Sequence, residues 1–94
     1  MAAPVAISVG TSATVVSAAN NNRTSLLVQN LSTADVYVGE TSGLTTANGI
    51  LLKPNERLVL TRVSPETFYY GAIYGRVASG TADVRVWERE YPAV

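Results

Sequence analysis

Between Arg23 and Leu60 the chain alternates short runs of apolar residues with residues that favour turns. In the run 25–30, Leu26 and Val28 fall on one face, because successive side chains of a strand point to opposite sides. The same spacing recurs after each turn, without a helical period. A chain with this pattern is predicted to fold as short strands around one core. The inward residues predicted for the following strands are Val36, Val38, Leu58 and Leu60.

The alternation extends over most of the chain and predicts an all-β fold. It favours a compact antiparallel β-sandwich, jelly-roll-like in layout, or a small barrel, with roughly seven to eight short strands. We expect a single β domain over residues 1–94, with flexible ends at 1–4 and 91–94. The predicted strands are 5–9, 13–18, 25–30, 35–39, 50–52, 57–62, 67–74 and 82–90.

The composition narrows the possible functions. The chain has neither cysteine nor histidine, which excludes disulfides, thiolate metal sites and a serine–histidine triad within it. Charged residues make up 15% of the chain and the formal net charge is zero, which favours association and argues against nucleic-acid binding. No apolar run is long enough for a membrane-spanning helix, and the first seven residues lack the features of a signal peptide. We expect a homo-oligomer, a trimer or larger, without a nucleic-acid or membrane partner.

The best candidate site is a predicted contact face on the last two long strands. The strands 67–74 and 82–90 are expected to pair as a hairpin through the turn 78–81, with Val84 and Val86 directed inward. Aromatic residues and arginines are enriched at interface hot spots, and both residue types occur on the predicted outer side of this hairpin. The predicted contact residues of the hairpin are Tyr69, Ile73, Arg85, Trp87 and Arg89.

A second predicted contact element is the loop 40–49, in which Glu40 and Leu44 are the expected contact residues. Two other interpretations of the hairpin face stay open. It could be the second layer of the domain's own sandwich, or a surface on which a sugar or single-stranded nucleic acid stacks.

The remaining polar residues have ordinary structural interpretations. Asn30 shares the inward side of its strand with Leu26, so its amide is predicted to be buried and to bind the backbone of the following turn. The carboxylates are scattered along the chain, and Glu88, Arg89 and Glu90 are predicted to form a charged cluster in solvent or between subunits. No catalytic residue, cofactor or metal site is expected.

Four strand and turn segments follow one another along the chain: Arg23-x-x-Leu26-x-Val28-x-Asn30, Asp35-Val36-Tyr37-Val38-Gly39, Asn48-Gly49-Ile50 and the closing run from Ala78 to Val86. This order resembles that of small phage virion β-domain proteins, of the capsid decoration (cement) or head-fibre type. The resemblance covers the chain from Gly10 to Glu88 and implies a β-sandwich that acts as an oligomer bound to a shell or fibre. It supplies no catalytic residues.

The function that this resemblance implies is that of a non-enzymatic capsid decoration or cement protein. Such a protein is made in the host cytoplasm and resides in the virion. It would bind the major capsid protein, or another virion protein, in the assembled shell and stabilise that state by mass action. One alternative is a fibre, tail or head-vertex subunit. Another is a carbohydrate-binding module in which Trp87 and the tyrosines provide the stacking surface.

Overall fold

The computed structural model describes residues 4–62 and 68–90, which form eight strands. Residues 1–3 of the expected flexible end 1–4, and the expected flexible end 91–94, lie outside these residues. Within the described ranges, no helix has the length and apolar character needed to cross a membrane. The strands are β1 Val5–Val9, β2 Thr14–Ser17, β3 Arg23–Asn30, β4 Val36–Gly39, β5 Ile50–Leu52, β6 Arg57–Thr61, β7 Ile73–Val77 and β8 Ala82–Glu90.

The strands form two four-stranded sheets in which every pairing is antiparallel. Sheet A has the order β1-β8-β3-β6, and sheet B has the order β2-β7-β4-β5. Most consecutive strands therefore lie in different sheets, as expected of a jelly roll built from two Greek keys. The predicted all-β sandwich is confirmed, and its strand order is that of a jelly roll.

The core is a layer of apolar side chains between the two sheets. Leu58 and Leu60 of β6 reach this layer and are half-buried, because β6 lies at the edge of sheet A. On β8 the buried residues alternate with the exposed Arg85 and Arg89, so the predicted inward and outward sides of this strand are confirmed. The buried residues that the alternation predicted are Leu26, Val28, Val36, Val38, Val84 and Val86.

Asn30 ends β3 and has the buried structural role that its position predicts. Its Nδ2 donates hydrogen bonds to the carbonyl oxygens of Ala34 at 2.7 Å and Leu52 at 2.9 Å. Its Oδ1 accepts a hydrogen bond from the backbone N–H of Ser32 at 2.9 Å. The amide therefore joins the turn after β3 to β5, across the two sheets.

The aromatic strand predicted over 67–74 is wrong in its extent and in its pairing. Thr67 lies outside the described residues, and 68–72 are not in a strand, so β7 begins at Ile73. β7 pairs with β2 and β4 in sheet B, whereas β8 belongs to sheet A, so these two strands do not form the expected hairpin. The turn 78–81 instead carries the chain from one sheet to the other.

The local cause of this difference lies in the backbone of 68–72 and in the face of β7. The carbonyl oxygens of Tyr69 and Gly71 accept hydrogen bonds from the Arg23 side chain rather than from a neighbouring strand. Ile73, predicted to face outward, is buried in the core on the same side of β7 as Val77. Burial of this apolar face therefore sets the orientation of β7.

Candidate protein interaction face

The outer surface of sheet A is formed by alternate residues of β8, β3 and β6. The registers of these strands place the outward side chains in rows that cross the sheet. The middle row contains Trp87, Leu27 and Val59. The flanking rows are Arg85, Gln29 and Arg57 on one side and Arg89, Ser25 and Thr61 on the other. We call the residues of these three rows the Trp87 face.

The middle row of the Trp87 face is apolar and open to solvent. Val59 is 52% exposed and Trp87 is 36% exposed, although both are residue types that proteins usually bury. Leu27 lies between them on β3 and is half-buried. Single exposed apolar residues are common on protein surfaces, whereas a contiguous exposed apolar patch is typical of an interaction surface.

Arginines border the apolar row on both sides. The guanidinium carbon of Arg89 lies 5.0 Å from the centroid of the Trp87 ring, which is a cation–π distance. Arg85 forms an ion pair of 3.0 Å with Asp83 on the same strand, and its hydrogen bond lowers the pKa of the Asp83 carboxyl. The same pair raises the pKa of Arg85. With Arg57, these arginines are the only charged residues of the Trp87 face, so the face itself is basic.

Two surface grooves are lined by both Trp87 and Leu27. The first has a volume of about 220 Å³ and is also lined by Val59 and Arg89. The second has a volume of about 340 Å³ and extends to Leu31, which is 40% exposed. Side chains of a partner protein can pack into these grooves, beside the apolar row.

The structure brings together only part of the predicted contact set. Arg85, Trp87 and Arg89 are neighbours on the outer side of β8, as predicted. Tyr69 does not join them, because its ring packs against the core and its hydroxyl donates a hydrogen bond to the carbonyl oxygen of Ala72 at 2.8 Å. Burial, followed by the Glu40 carboxylate, raises the pKa of Tyr69, which keeps the phenol protonated as a donor.

The other predicted contact residues lie in or beside sheet B. Ile73 and Leu44 are 4% and 3% exposed, so both side chains are buried inside the domain itself. The loop 40–49 folds against sheet B around Leu44, whose carbonyl oxygen accepts a hydrogen bond from Arg76 Nη1 at 3.0 Å. Glu40 is exposed in this loop, and its contact with a partner stays a prediction.

Arg23 is the largest fully buried side chain of the described residues, and its burial was not predicted from the alternation of β3. It is 0% exposed, yet each of the five N–H donors that a guanidinium carries has an acceptor. The strongest contact joins its Nε to Glu88 Oε2 at 2.7 Å. The remaining acceptors are the carbonyl oxygens of Tyr69, Gly71 and Ala18 and the hydroxyl of Ser17.

A bulge explains why the alternation of β3 does not predict the burial of Arg23. Counting back from Leu26 and Val28 would put Arg23 on the outer face, but the register between β3 and β8 shifts between Arg23 and Ser25. This shift turns Arg23 inward, toward Glu88. The predicted surface cluster of charges is therefore wrong for Glu88, which belongs to the buried ion pair.

The Trp87 face thus combines an exposed apolar row, basic borders and a rigid backing. Its two central strands, β8 and β3, are fixed from below by the Arg23–Glu88 pair and by core packing. Such a surface can bind another protein by burying its aromatic and aliphatic side chains, while its arginines pair with acidic residues of the partner. Comparisons with protein-family models, with curated proteins and with solved structures found no match for this chain.

Proposed function

We propose that the protein is a non-enzymatic virion component, a capsid decoration or cement protein that binds an assembled shell through its Trp87 face. The observation that carries this proposal is the apolar row of Trp87, Leu27 and Val59 on the outside of sheet A. Tryptophan and arginine are the residue types most enriched among interface hot spots, and Arg89 lies over the Trp87 ring. The resemblance to small phage virion proteins supports the choice of a shell as the partner.

The mode of action is mechanical. The jelly roll supplies a stiff body, and two of the three strands that carry the Trp87 face, β8 and β3, are hydrogen bonded on both edges. A protein of this kind that spans the junction between two shell subunits adds binding free energy to the assembled state alone. It therefore shifts the equilibrium away from dissociated subunits by mass action, without a chemical step.

The charges of the Trp87 face specify the chemistry of the partner surface. Arg57, Arg85 and Arg89 surround the apolar row, so the complementary surface has an apolar centre and an acidic border. Such border charges mainly raise the association rate and its dependence on salt, while the apolar centre supplies most of the affinity. A fibre, tail or head-vertex protein with the same surface would serve equally well as the partner within a virion.

A carbohydrate-binding module is the second candidate, and the two grooves beside Trp87 favour it. An exposed indole with arginine donors next to it, beside two surface grooves, has the features of a sugar-stacking surface. Jelly rolls occur among lectins as well as among capsid proteins, so the fold does not decide between these functions.

The test is co-sedimentation of the protein with empty shells of the encoding phage, at increasing salt. We expect saturable binding that weakens as salt increases, and a loss of about 30-fold or more for Trp87→Ala, corresponding to a hot spot of about 2 kcal/mol. Trp87 is the only tryptophan, so its fluorescence also reports on this face during titration with oligosaccharides. Absence of shell binding together with saturable quenching by an oligosaccharide would replace the shell proposal with the carbohydrate one.

A further inference from the structure

Strand β6 forms one edge of sheet A and has the features of an unprotected edge. Its sequence, Arg57-Leu58-Val59-Leu60-Thr61, contains neither proline nor lysine, and its one charged residue, Arg57, lies at its first position. Its registry with β3 is regular over its whole length. An edge of this kind offers backbone donors and acceptors to another strand.

The hydrogen bonds at both ends of β6 show which of its backbone groups face outward. The N–H of Asn30 donates to the carbonyl of Glu56, and the N–H of Arg62 donates to the carbonyl of Thr24. Residues that bond to a neighbouring antiparallel strand alternate with residues that bond to the other side. Residues 58 and 60 therefore face β3, while the N–H and C=O groups of 57, 59 and 61 point away from the sheet.

The opposite edge of sheet A, β1, is less available for pairing with another strand. The N–H of Leu31 donates a hydrogen bond to the Asp83 carbonyl, so the odd-numbered residues of β8 bond to β3 and its even-numbered residues bond to β1. Those even-numbered residues pair with the odd-numbered residues of β1. The backbone groups of the even-numbered residues of β1 therefore face outward. At one end of this series Pro4 has no N–H to donate. At the other end the Gly10 carbonyl already accepts a hydrogen bond from the N–H of Val77 at 3.0 Å. Only β6 offers outward backbone groups along a whole strand of sheet A.

We infer that two copies of this chain associate through β6, antiparallel, with Val59 on the two-fold axis. In this register Arg57 of each copy lies opposite Thr61 of the second copy, and Val59 lies opposite Val59. These are the positions whose backbone groups point outward, so each facing pair exchanges both of its N–H···O bonds. The partner is therefore a second copy of the same strand, and the interface is isologous.

The side chains select this register over its neighbours. With Val59 on the axis, Glu56 faces Arg62 of the second copy at both ends of the paired strands, and Leu58 faces Leu60. A shift of two residues in one direction would place Glu56 opposite Leu60. A shift in the other direction would place Arg62 opposite Leu58. Of these registers, only the one centred on Val59 pairs opposite charges with each other and apolar residues with each other.

The two sides of β6 fit this association. On the inner side, Leu58 and Leu60 line an apolar groove of about 100 Å³ together with Ile50, which is 61% exposed. Pairing adds the same leucines of the second copy beside this groove. On the outer side, the rows of Trp87, Leu27 and Val59 from the two copies become one continuous row across the axis. The resulting assembly is a dimer, which differs from the trimer or larger oligomer expected from the sequence.

Cysteine cross-linking tests both the interface and its register, because the chain has no cysteine of its own. Facing residues in a hydrogen-bonded antiparallel pair have Cα atoms about 5.5 Å apart, within disulfide range. We expect Val59→Cys to form a covalent dimer when diamide is added as the oxidant. Thr61→Cys is the matched control, since its two copies would lie about 13 Å apart, four residues along the strand. Absence of the Val59→Cys dimer, or equal cross-linking of Thr61→Cys, would overturn the proposal.

A charge exchange provides a second test that does not depend on disulfide geometry. Glu56→Lys and Arg62→Glu each place like charges opposite each other, and each is expected to raise the dimer dissociation constant about tenfold. The double variant restores opposite charges and is expected to return to the wild-type constant. The measurement is sedimentation velocity over a range of concentrations, in which the wild type approaches twice the 9.9 kDa chain mass. A wild type that stays at the chain mass, or a double variant weaker than both single ones, would contradict pairing through β6.

Discussion

The two sides of sheet A carry arginine ion pairs of the same chemistry with opposite consequences. On the inner side Arg23 is fully buried and binds Glu88 at 2.7 Å, and on the outer side Arg85 binds Asp83 at 3.0 Å with both side chains about half exposed. The inner pair also joins β3 and β8 to the chain around β2 and to residues 69–71. The outer pair joins neighbours on a single strand.

The comparison shows how environment decides what a charged pair contributes. Removing one partner of a buried pair leaves the other charge desolvated, whereas an exposed pair exchanges easily with water. The inner side of sheet A therefore holds the fold, and the outer side is available for binding. Substitutions at matched positions on the two sides separate these roles.

The largest expected effect is that of Arg23→Ala. This substitution removes the guanidinium that donates to Glu88, to Ser17 and to the nearby carbonyl groups, and we expect a loss of about 3–5 kcal/mol in the free energy of unfolding. The matched variant Arg85→Ala removes only an exposed ion pair, so it should change the urea midpoint only slightly. Urea denaturation followed by circular dichroism measures both. Equal losses for the two variants would mean that the buried pair has no special role.

Neighbouring amides on β3 give a second comparison of the same kind. Asn30→Ala removes the Nδ2 donor to the carbonyl groups of Ala34 and Leu52, and we expect a loss of about 2 kcal/mol. Gln29→Ala, on the outer side of the same strand, should change stability by no more than about 0.5 kcal/mol. A Gln29→Ala loss as large as that of Asn30→Ala would contradict the assignment of the two sides.

The smallest expected effect concerns pH. The pKa of Asp83 is lowered in the folded state, so its ion pair with Arg85 contributes above the unfolded-state pKa and is lost as pH falls through the folded-state value. Urea midpoints of the wild type and Asp83→Asn should therefore differ slightly at neutral pH and converge well below the ordinary value of 3.8. A difference between the two urea midpoints that grows as pH falls would contradict this prediction.

The parts of the fold that the sequence predicts are those that depend on local alternation. Leu26, Val28, Val84 and Val86 were assigned to the core because a strand with one buried face must alternate, and all of them are buried. The same local rule placed Arg85, Trp87 and Arg89 on the outer side of β8. Three of the nine residues of the Trp87 face, those on β8, were thus predictable from local alternation.

The remaining parts depend on contacts between distant residues. The partner of β7 is decided by the packing of two sheets, so a short connection to β8 did not make a hairpin. A one-residue register shift reversed the side of Arg23, and alternation alone contains no sign of such a bulge. Leu44 lies in a polar loop, and the residues next to it in sequence do not indicate that this loop packs against sheet B.

The most direct test of the central claim compares two leucines on the outer sides of the two sheets. Leu27 lies in the middle row of the Trp87 face, and Leu51 is 38% exposed on sheet B. Shell co-sedimentation of Leu27→Ala and Leu51→Ala should show a loss of affinity of about tenfold for the first and none for the second, with both proteins folded. Equal affinities, or a loss confined to Leu51→Ala, would contradict binding through sheet A.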